Sequence, residues 1–271
     1  MSDAVEASRA QFDRQAACYG SGHILRDVSD VVAALDEFGT AQLSPALDVA
    51  TGAGHTAAYL AGRGIAVTAA DISEGMLAET RNLAAERGLA IAVRQHAAEI
   101  LPYIDGEFGL VACRVAAHHF ESVEKFLCEA FRVLRPDGYL LVIDGAEPDD
   151  APAAGEWLHR VEKLRDPSHG RFLSPAAWRG LATKAGFEVL QSATRPFKQP
   201  DLEWYFRTAG TSEANRAEVL KLVSGAPDEA RAAFGLTEED GKIVWWWPRL
   251  TLLAQRPEVA KSASRTQRSA P

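Results

Sequence analysis

The middle of the chain alternates short apolar runs with amphipathic stretches, and this alternation limits the possible folds more than any other feature. Five apolar runs have the length of buried strands, at about residues 45–50, 65–70, 90–95, 108–113 and 138–144. Helical patterns lie between them, at about residues 54–63, 74–87 and 121–134. Such alternation is typical of parallel strands joined by crossover helices. The sequence therefore predicts an α/β fold.

Two short signals mark helix ends in this region. Ser73 followed by Glu74 is predicted to begin the second crossover helix. The triplet Pro136-Asp137-Gly138 is predicted to stop the third helix and form a turn before the next strand.

The segments on either side of this core show different patterns. Residues 1–40 contain two helical patterns, at about 3–18 and 23–38. After Asp144 we expect a loop, helices at 155–165 and 174–185, a strand at 187–197, and two or three short helices within 200–235. A last predicted strand at 242–256 contains Pro248, which indicates an edge strand or a bulge.

These patterns divide the chain into four predicted parts. Residues 1–40 form an N-terminal helical cap, 41–150 a cofactor-binding core, and 151–255 the substrate-cap helices with the last two strands of the same sheet. Residues 256–271 hold Arg256, Lys261, Arg265 and Arg268 against a single acid, and they lack apolar periodicity. We predict that this last part is a disordered tail.

The composition favours a small-molecule partner. The 271 residues carry a net charge of -8, whereas nucleic-acid and anionic-membrane surfaces need clustered Lys and Arg. No apolar run reaches the length of a signal peptide or a membrane span. The cysteines Cys18, Cys113 and Cys128 are odd in number and lack a C-x-x-C pair, which indicates a reducing compartment. We expect a cytoplasmic protein without nucleic-acid binding or membrane insertion.

A glycine-rich loop follows the first predicted strand, in the segment Leu47-Asp48-Val49-Ala50-Thr51-Gly52-Ala53-Gly54-His55. Glycine at this point lets the backbone approach a ligand closely, so a nucleotide-like cofactor is predicted. The loop also fits a G-x-G-x-x-A dinucleotide pattern, and Asp71 follows at the position of a ribose-binding acid. The glycines alone do not separate NAD from S-adenosylmethionine. The position of Asp48 and the absence of a Tyr-x-x-x-Lys motif favour S-adenosylmethionine.

Four segments in order, LDVATGAGHTA, VTAADISEGMLAETR, AEILPYIDGEFGLVACRVAAHHF and FRVLRPDGYLLVID, resemble successive motifs of class I S-adenosylmethionine-dependent methyltransferases. The ubiquinone/menaquinone-biosynthesis branch is the most similar, over about residues 10–190. The resemblance implies a Rossmann-like, doubly wound seven-stranded sheet of order 3-2-1-4-5-7-6 with strand 7 antiparallel. The helical N-terminal and post-strand-5 segments would form a cap, with the cofactor over the carboxyl ends of strands 1 and 2.

The resemblance also implies roles for single residues. Asp71 would accept hydrogen bonds from the ribose hydroxyls, although a helix N-terminal acid is the alternative. Asp48 would organise the loop near the methionine amino group, unless it is only a buried acid bonded to local amides. The remaining expected cofactor contacts are Ala50, Thr51, Gly52, Gly54, Ile72, Met76, Ala97, Ala98, Glu99 and Arg114. For Arg114, binding of a substrate carboxylate or pairing with an acid at the sheet edge stays open.

Three positions depart from the family pattern. Ala50 stands where glycine is more common, and Ala97 where an aspartate usually caps the adenine amino group. We expect Glu99 or the backbone to replace that hydrogen bond, or the bond to be missing. Gly109 stands where the family usually has aspartate, and the sequence offers no interpretation of it.

The predicted reaction site follows strand 4, where the chain reads His118-His119. Methyl transfer needs an acceptor aligned with the methyl group, and an acceptor that carries a proton also needs a base. Histidine can act as a base near neutral pH. We predict His118 as the base, His119 as a second substrate contact and Asp144 as the carboxylate that orients an imidazole. In the alternative, Asp144 caps the following loop through the Gly145 and Ala146 amides. Adjacent histidines without a carboxylate at ligand spacing predict no metal site.

Two further groups are candidates for the substrate entrance. The loop Arg165-Asp166-Pro167-Ser168-His169 either lines that entrance or forms a self-bonded turn. Trp157 and the aromatics Trp204, Tyr205 and Phe206 are candidates for a lid, whereas core packing is the default for Trp245, Trp246 and Trp247.

The sequence thus predicts methyl transfer from S-adenosylmethionine to an oxygen or carbon of a small, fairly apolar metabolite. A non-methylating cyclase or binding protein on the same fold is the alternative, and an NAD-dependent oxidoreductase is a third reading. The small-molecule acceptor is the expected partner, and the sequence leaves open whether the chain forms a homodimer.

Overall fold

The computed structural model describes residues 3–16, 24–199 and 201–258. Seven of its strands form one sheet: β1 (Ala46–Val49), β2 (Val67–Asp71), β3 (Ile91–Gln95), β4 (Phe108–Arg114), β5 (Leu134–Gly145), β6 (Glu188–Lys198) and β9 (Trp246–Gln255). Their order is β3-β2-β1-β4-β5-β9-β6, and β9 runs antiparallel to both neighbours. The predicted order and the antiparallel last strand are confirmed. The predicted last strand at 242–256 is divided: Lys242–Val244 forms β8, which pairs with β7 (Thr237–Glu239) in a separate hairpin that was not predicted.

Helices cover the sheet and extend beyond its carboxyl edge. They are α1 (Asp3–Gln15), α2 (Ser29–Leu35), α3 (Thr40–Leu43), α4 (His55–Gly62), α5 (Glu74–Glu86), α6 (Val123–Val133), α7 (Pro152–Arg165), α8 (Pro175–Lys184), α9 (Leu202–Ala209), α10 (Glu213–Ser224) and α11 (Asp228–Phe234). Short 3-10 turns lie at Ile24–Arg26 and Ala117–His119. None of the described helices has both the length and the apolar content needed to cross a bilayer.

The central strands are buried on both faces, which explains their continuous apolar sequences. In β4, Val111 and Cys113 pack in one cluster with α6 and α8. Leu110 and Ala112 point to the opposite face and pack in a second cluster with α2 and α4. A third cluster, around Trp157, Tyr205, Phe234 and Trp245, lies in the cap formed by α7, α9, α10 and α11. The cap therefore has its own apolar core.

Several predicted boundaries need correction. The predicted helix at 23–38 is a 3-10 turn followed by the shorter α2. The turn expected at Pro136-Asp137-Gly138 lies inside β5, which starts directly after α6. The edge position expected for the strand with Pro248 is wrong, because β9 lies between β5 and β6. Pro248 is tolerated there because pairing with β5 ends at Gly145, opposite Arg249.

The predicted start of the disordered tail, at residue 256, is too early. The Asp137 amide donates to the Arg256 carbonyl and the Arg256 amide donates to the Gly138 carbonyl, each at 2.8 Å. The Arg256 guanidinium also donates to the carbonyls of Phe131 and Arg132. Arg256 therefore belongs to the folded chain. The rest of the predicted tail from residue 259 lies outside the described residues, as does Cys18.

Gly109 is explained by packing far from the carboxyl edge. A Cβ at this position would lie 2.8 Å from the Gln42 carbonyl oxygen and 3.0 Å from the Arg135 guanidinium. That guanidinium donates to the carbonyls of Ala41, Gln42 and Ser44 and so holds α3 against β4. The departure from the family pattern at Gly109 thus accompanies close approach of α3 to the sheet.

We predict that Gly109→Ala lowers the free energy of unfolding by about 1–3 kcal/mol, because the new methyl group overpacks against backbone. Gly180→Ala is the matched control: a Cβ at this helical position meets no atom within 4 Å. The control should be stabilising by roughly 0.5–1 kcal/mol, since alanine favours a helix interior. Urea unfolding measures both variants, and equal stabilities would contradict the packing explanation.

Candidate active site

A cleft lies at the carboxyl edge of β1, β2, β4 and β5, under the cap. Its lining contains most of the predicted site residues: Ala50, Thr51, Gly52, Asp71, Ile72, Met76, Ala97, Ala98, Glu99, Arg114, His118 and His119. Asp48, Gly54 and Asp144 are absent from the lining and lie behind it. The parallel strands bring these residues together because their carboxyl ends meet at one edge.

The glycine loop between β1 and α4 has a left-handed backbone at three positions. Ala50, Gly52 and Gly54 have φ values of 53°, 56° and 82°. At Gly54 a Cβ would also lie 2.8 Å from Thr80 Cγ2, whereas at Gly52 it would meet no protein atom within 4 Å. Gly54 therefore allows the loop to approach α5, and Gly52 leaves space beside the cleft. Ala50 accepts a conformation that costs a non-glycine residue about 1–2 kcal/mol, which agrees with glycine being more common there.

Asp48 supports the loop from behind. Its side chain is 1% exposed, and the Thr51 hydroxyl donates to Asp48 Oδ2 at 2.5 Å. Burial raises the pKa of Asp48 to about 7. These contacts fit the organising role, and they also fit the alternative of a buried acid satisfied locally. Contact of Asp48 with the methionine amino group stays a prediction.

Asp71 ends β2 and connects it to the glycine loop. Its Oδ2 accepts the Gly52 amide and its Oδ1 accepts the Ser73 amide, both at 2.9 Å. The N-cap role at α5 belongs to Ser73, whose hydroxyl accepts the Met76 amide. The bond from the Ser73 amide to Asp71 also fits the alternative of an acid stabilised by the helix N-terminus, so the ribose contact stays a prediction. Burial raises the pKa of Asp71 to about 6, although the two amides oppose the shift.

The segment after β3 lines the cleft beside Ile72. Ala97 presents no hydrogen-bonding side chain, and Glu99 Oε1 accepts the Glu121 amide at 2.8 Å. Glu99 is therefore used to hold the start of the α6 segment. His96, which sequence reasoning did not select, also lines the cleft, and its Nε2 lies 2.9 Å from the Tyr103 hydroxyl. Replacement of the family aspartate by Glu99 or backbone stays untested.

His118 and Asp144 form a close pair where β4 and β5 end. His118 Nδ1 lies 2.6 Å from Asp144 Oδ1, and the His118 amide donates to Asp144 Oδ2 at 2.9 Å. A carboxylate at Nδ1 favours the tautomer with its proton on that nitrogen, which leaves Nε2 as the acceptor. Asp144 also accepts the Gly145 amide, as in the capping alternative. The Ala146 amide donates to Pro248 instead.

Two more histidines surround His118 and are kept neutral by burial. The His119 ring lies 4.1 Å from the His118 ring. Burial, with the neighbouring His118, lowers the pKa of His119 to about 3. His169, whose ring lies 5.3 Å from that of His118, also has a pKa lowered by burial. His119 Nδ1 lies 3.1 Å from the Ser168 hydroxyl. Neither ring carries a positive charge near neutral pH.

The loop after α7 fits both predicted readings. Asp166 Oδ1 accepts the amide and the hydroxyl of Ser168, and the Asp166 carbonyl accepts the His169 amide. The loop is thus a self-bonded turn. Arg165, Asp166 and His169 nevertheless line the cleft.

Val115 precedes the histidine pair and has an unusual backbone. Its φ of 54° is left-handed, which is a genuine outlier for a β-branched residue. The Val115 amide donates to the Ile143 carbonyl at 2.6 Å, so pairing with β5 holds the conformation. Strain of this kind concentrates at functional sites, and here it directs the chain into the turn that carries His118.

Arg114 is bonded to the N-terminal segment. Its Nε donates to both Asp30 carboxylate oxygens at 2.9 and 3.1 Å, and its other nitrogens donate to the Leu25 and Asp27 carbonyls. The alternative of pairing with an acid at the sheet edge is confirmed. Its assignment to cofactor binding stays a prediction.

The cap supplies an aromatic wall, but not with all the residues expected. Trp157 is 4% exposed, donates to the Leu222 carbonyl and stacks on Phe234 outside the cleft. Its prediction as a lid is therefore wrong, and Tyr205 and Phe206 are buried in the same cluster. The aromatic side chains that line the cleft are Phe12, Phe120, Phe172, Phe197, Trp204 and Trp247.

Glu162 and Arg249 also line the cleft, and sequence reasoning missed both. Glu162 lies on a helix and Arg249 on a strand, where single charges predict nothing about a cleft. A search of the described residues finds no cluster of three or more His, Cys, Asp or Glu side chains suited to a metal ion.

Comparison with known proteins identifies the family. A family model described as Methyltransferase domain matches residues 47–142. YcgJ of Bacillus subtilis (strain 168), named an uncharacterized methyltransferase, is 32% identical over 194 residues, which are 70% of this chain and 75% of YcgJ. UbiE of Serratia proteamaculans (strain 568), a ubiquinone/menaquinone biosynthesis C-methyltransferase, is 30% identical over 164 residues, covering 52% of this chain and 65% of UbiE.

A solved structure agrees with these relatives. The crystal structure of the BH2331 protein from Bacillus halodurans C-125 matches with a TM-score of 0.79 and 29% identity, over 86% of this chain and 99% of that chain. Fold and cleft define an enzyme of the Rossmann-like class that binds a nucleotide-like cofactor at the sheet's carboxyl edge. The chain belongs to the class I S-adenosylmethionine-dependent methyltransferases, and S-adenosylmethionine is its cofactor. The open space at Gly52 and the buried Asp71 carboxylate fit that group.

We predict that Asp71→Asn weakens S-adenosylmethionine binding by about ten- to hundredfold, because charge-assisted hydrogen bonds are lost. The expected acceptor of the ribose hydroxyls is the ionised carboxylate, whose pKa burial raises to about 6. Affinity should therefore be full about one pH unit above this pKa and fall as the pH is lowered through it, by up to about tenfold per unit. The variant should lose this dependence.

Titration calorimetry between pH 5 and 8 measures both effects, and circular dichroism confirms folding. Glu74→Gln, an exposed acid at the start of α5, is the matched control and should bind like the unaltered protein. An unchanged affinity in folded Asp71→Asn would remove Asp71 from the cofactor site.

Proposed function

We propose that the protein transfers a methyl group from S-adenosylmethionine to an oxygen or carbon of a small, fairly apolar metabolite, with His118 as the base. The observation that carries this proposal is the His118–Asp144 pair, 2.6 Å apart, at the cleft. The pair supplies an oriented imidazole at the carboxyl edge of the sheet, where the cofactor-binding loops also lie.

The bound cofactor supplies an electrophilic methyl group on its sulfonium. The protein then has to exclude water, align the acceptor and remove a proton where the acceptor carries one. His118 Nε2 takes that proton, and Asp144 stabilises the imidazolium that forms. His119, kept neutral by burial, contacts the acceptor beside His118.

The cofactor contacts are proposed from the same geometry. Asp71 accepts hydrogen bonds from the ribose hydroxyls, because its two bonds to amides leave further lone pairs on each carboxylate oxygen. Ile72 and Met76 pack against the adenine, next to Ala97, Ala98 and Glu99. The loop from Ala50 to Gly54 presents its backbone to the cofactor, and Asp48 fixes the loop from behind through Thr51.

The acceptor is proposed to be small and largely apolar because of what surrounds His118. The Phe172 ring lies 4.7 Å from the His118 ring, and the Phe12 ring lies 4.9 Å from that of His119. Trp204 and Trp247 complete this wall. The printed name of the UbiE relative, a C-methyltransferase, supports carbon as one methylated atom.

A cytoplasmic location is part of the proposal. Cys113 is buried and Cys128 is exposed, and both described cysteines have free thiols, as suits a reducing compartment.

The activity test measures S-adenosylhomocysteine formed from S-adenosylmethionine with a panel of small apolar phenols, enols and quinols. Formation that depends on the acceptor supports methyl transfer. An acceptor that is converted without S-adenosylhomocysteine would favour the non-methylating cyclase instead.

We predict that His118→Ala lowers kcat by about hundredfold or more with that acceptor, because general-base catalysis contributes roughly 10²–10⁴-fold. S-adenosylmethionine affinity should be nearly unchanged. Steady-state kinetics and calorimetry measure the two quantities.

His159→Ala is the matched control, because His159 lies outside the cleft lining, and it should keep normal kcat. Asp144→Asn should lower kcat as well, since it removes the charge that stabilises the imidazolium. Near-normal kcat in both His118→Ala and His119→Ala would contradict the catalytic role of these histidines. It would show that alignment of the acceptor with the methyl group accounts for the rate.

A further inference from the structure

Arg249 differs from the other arginines of the cleft in its hydrogen bonding. Arg114 donates to Asp30 and to two carbonyls. Arg165 donates to Glu162, to the Tyr205 carbonyl and to the Thr208 hydroxyl. The Arg249 guanidinium makes no hydrogen bond with any described residue, and its ion-pair partner Asp30 is 3.6 Å away.

The environment of Arg249 makes these unused donors costly. Its side chain is 13% exposed, and its guanidinium lies 3.7 Å above the centre of the Phe197 ring. Desolvation by burial lowers the pKa of Arg249 to about 10, against the attraction of Asp30, Asp144 and Asp27. A buried guanidinium regains free energy when an oxyanion takes its donors.

The carboxylates near Arg249 are already engaged by other groups. Both oxygens of Asp30 accept the Arg114 Nε. Asp144 accepts the amide and ring of His118 and the Gly145 amide. Apart from the long ion pair with Asp30, a partner for the Arg249 donors is therefore left to a ligand in the cleft that Arg249 lines.

The position of Arg249 places that ligand beside the base. Arg249 lies opposite Gly145 in the β5–β9 pair, one residue from Asp144, which holds His118. Phe197, whose ring the Arg249 guanidinium contacts, lines the same cleft, as do Trp204 and Trp247. An oxyanion at Arg249 thus extends into an apolar, aromatic part of the site.

We propose that Arg249 is the specificity residue for the methyl acceptor, and that the acceptor is an aromatic or similarly planar molecule carrying an anionic oxygen. This inference rests on the proposed function. The anionic oxygen is either a permanent carboxylate or the oxyanion formed when His118 removes a proton. In both cases Arg249 donates to it and orients the acceptor relative to His118.

The test uses the full chain saturated with S-adenosylhomocysteine and the probes 2-naphthoate and 2-naphthamide, which have similar shape and differ in charge. Calorimetry should show that the acid binds about ten- to hundredfold more tightly than the amide. Arg249→Gln should abolish that difference, and Arg249→Lys should restore part of it.

Arg195→Gln is the matched control. Arg195 lies opposite Arg249 in the β6–β9 pair but is exposed and outside the cleft lining. This change removes the same charge from the same part of the sheet, and it should leave the preference for the acid intact. Loss of the preference in Arg195→Gln would show a general electrostatic effect and overturn the proposal.

A second probe, 2-naphthol, distinguishes the two sources of the oxyanion. If the oxyanion forms during the reaction, binding should lower the pKa of the naphthol, and the naphtholate absorbance should appear at lower pH than with Arg249→Gln. Preference for naphthoate without this shift indicates a permanent carboxylate. If the unaltered protein shows neither the preference for naphthoate nor the shift in the naphthol pKa, the proposal is overturned. This outcome does not depend on whether Arg249→Gln folds.

The failure of this inference is distinguishable from that of the proposed function. Binding of S-adenosylhomocysteine to Arg249→Gln should equal that of the unaltered protein, with a similar melting temperature. Cofactor binding and methyl transfer without any acid preference contradict only the role of Arg249. Absence of methyl transfer with every acceptor contradicts the proposed function.

Discussion

Two buried carboxylates at the ends of parallel strands determine the shape of the cleft. Asp71 is the last residue of β2 and Asp144 the last but one of β5, and they are 6% and 1% exposed. A carboxylate buried without donors costs several kcal/mol, so the following loops have to present amides to it. Asp71 receives the Gly52 and Ser73 amides, and Asp144 receives the His118 and Gly145 amides. Each acid therefore fixes one wall of the cleft.

A third buried carboxylate organises the cap in the same way. Glu162 Oε1 accepts the Tyr205 hydroxyl and the Trp247 indole N–H, both at 2.9 Å, and Arg165 pairs with Oε2. These partners come from α7, α9 and β9, which are far apart in sequence. One side chain thus connects the cap to the last strand of the sheet, and it holds Trp247, which lines the cleft.

The core was predictable from sequence because its signals are local. The spacing and length of the apolar runs predicted the strands β1 to β5 and the crossover helices. The positions of Asp71, His118 and Asp144 near strand ends predicted that they lie at the carboxyl edge of the sheet. Arg249, Glu162 and Phe197 were not predictable, because their places depend on pairing between segments about 50 to 100 residues apart. Trp157 was assigned wrongly since an aromatic residue on a cap helix fits either a lid or a core, and burial decides.

The histidines around His118, the proposed base, show why a cluster of like side chains does not oppose its protonation. An imidazolium at His118 would be opposed by a second positive charge 4.1 Å away at His119, an interaction of about 4 kcal/mol at an effective dielectric of 20. Burial removes that opposition, because it lowers the pKa of His119 to about 3 and also lowers that of His169. Both rings then contribute apolar surface and hydrogen-bonding nitrogens without charge. Asp144, 2.6 Å from the His118 ring, is consequently the group whose charge acts most directly on His118. The proton transfer proposed for His118 would therefore be stabilised by a neighbour that is already in place.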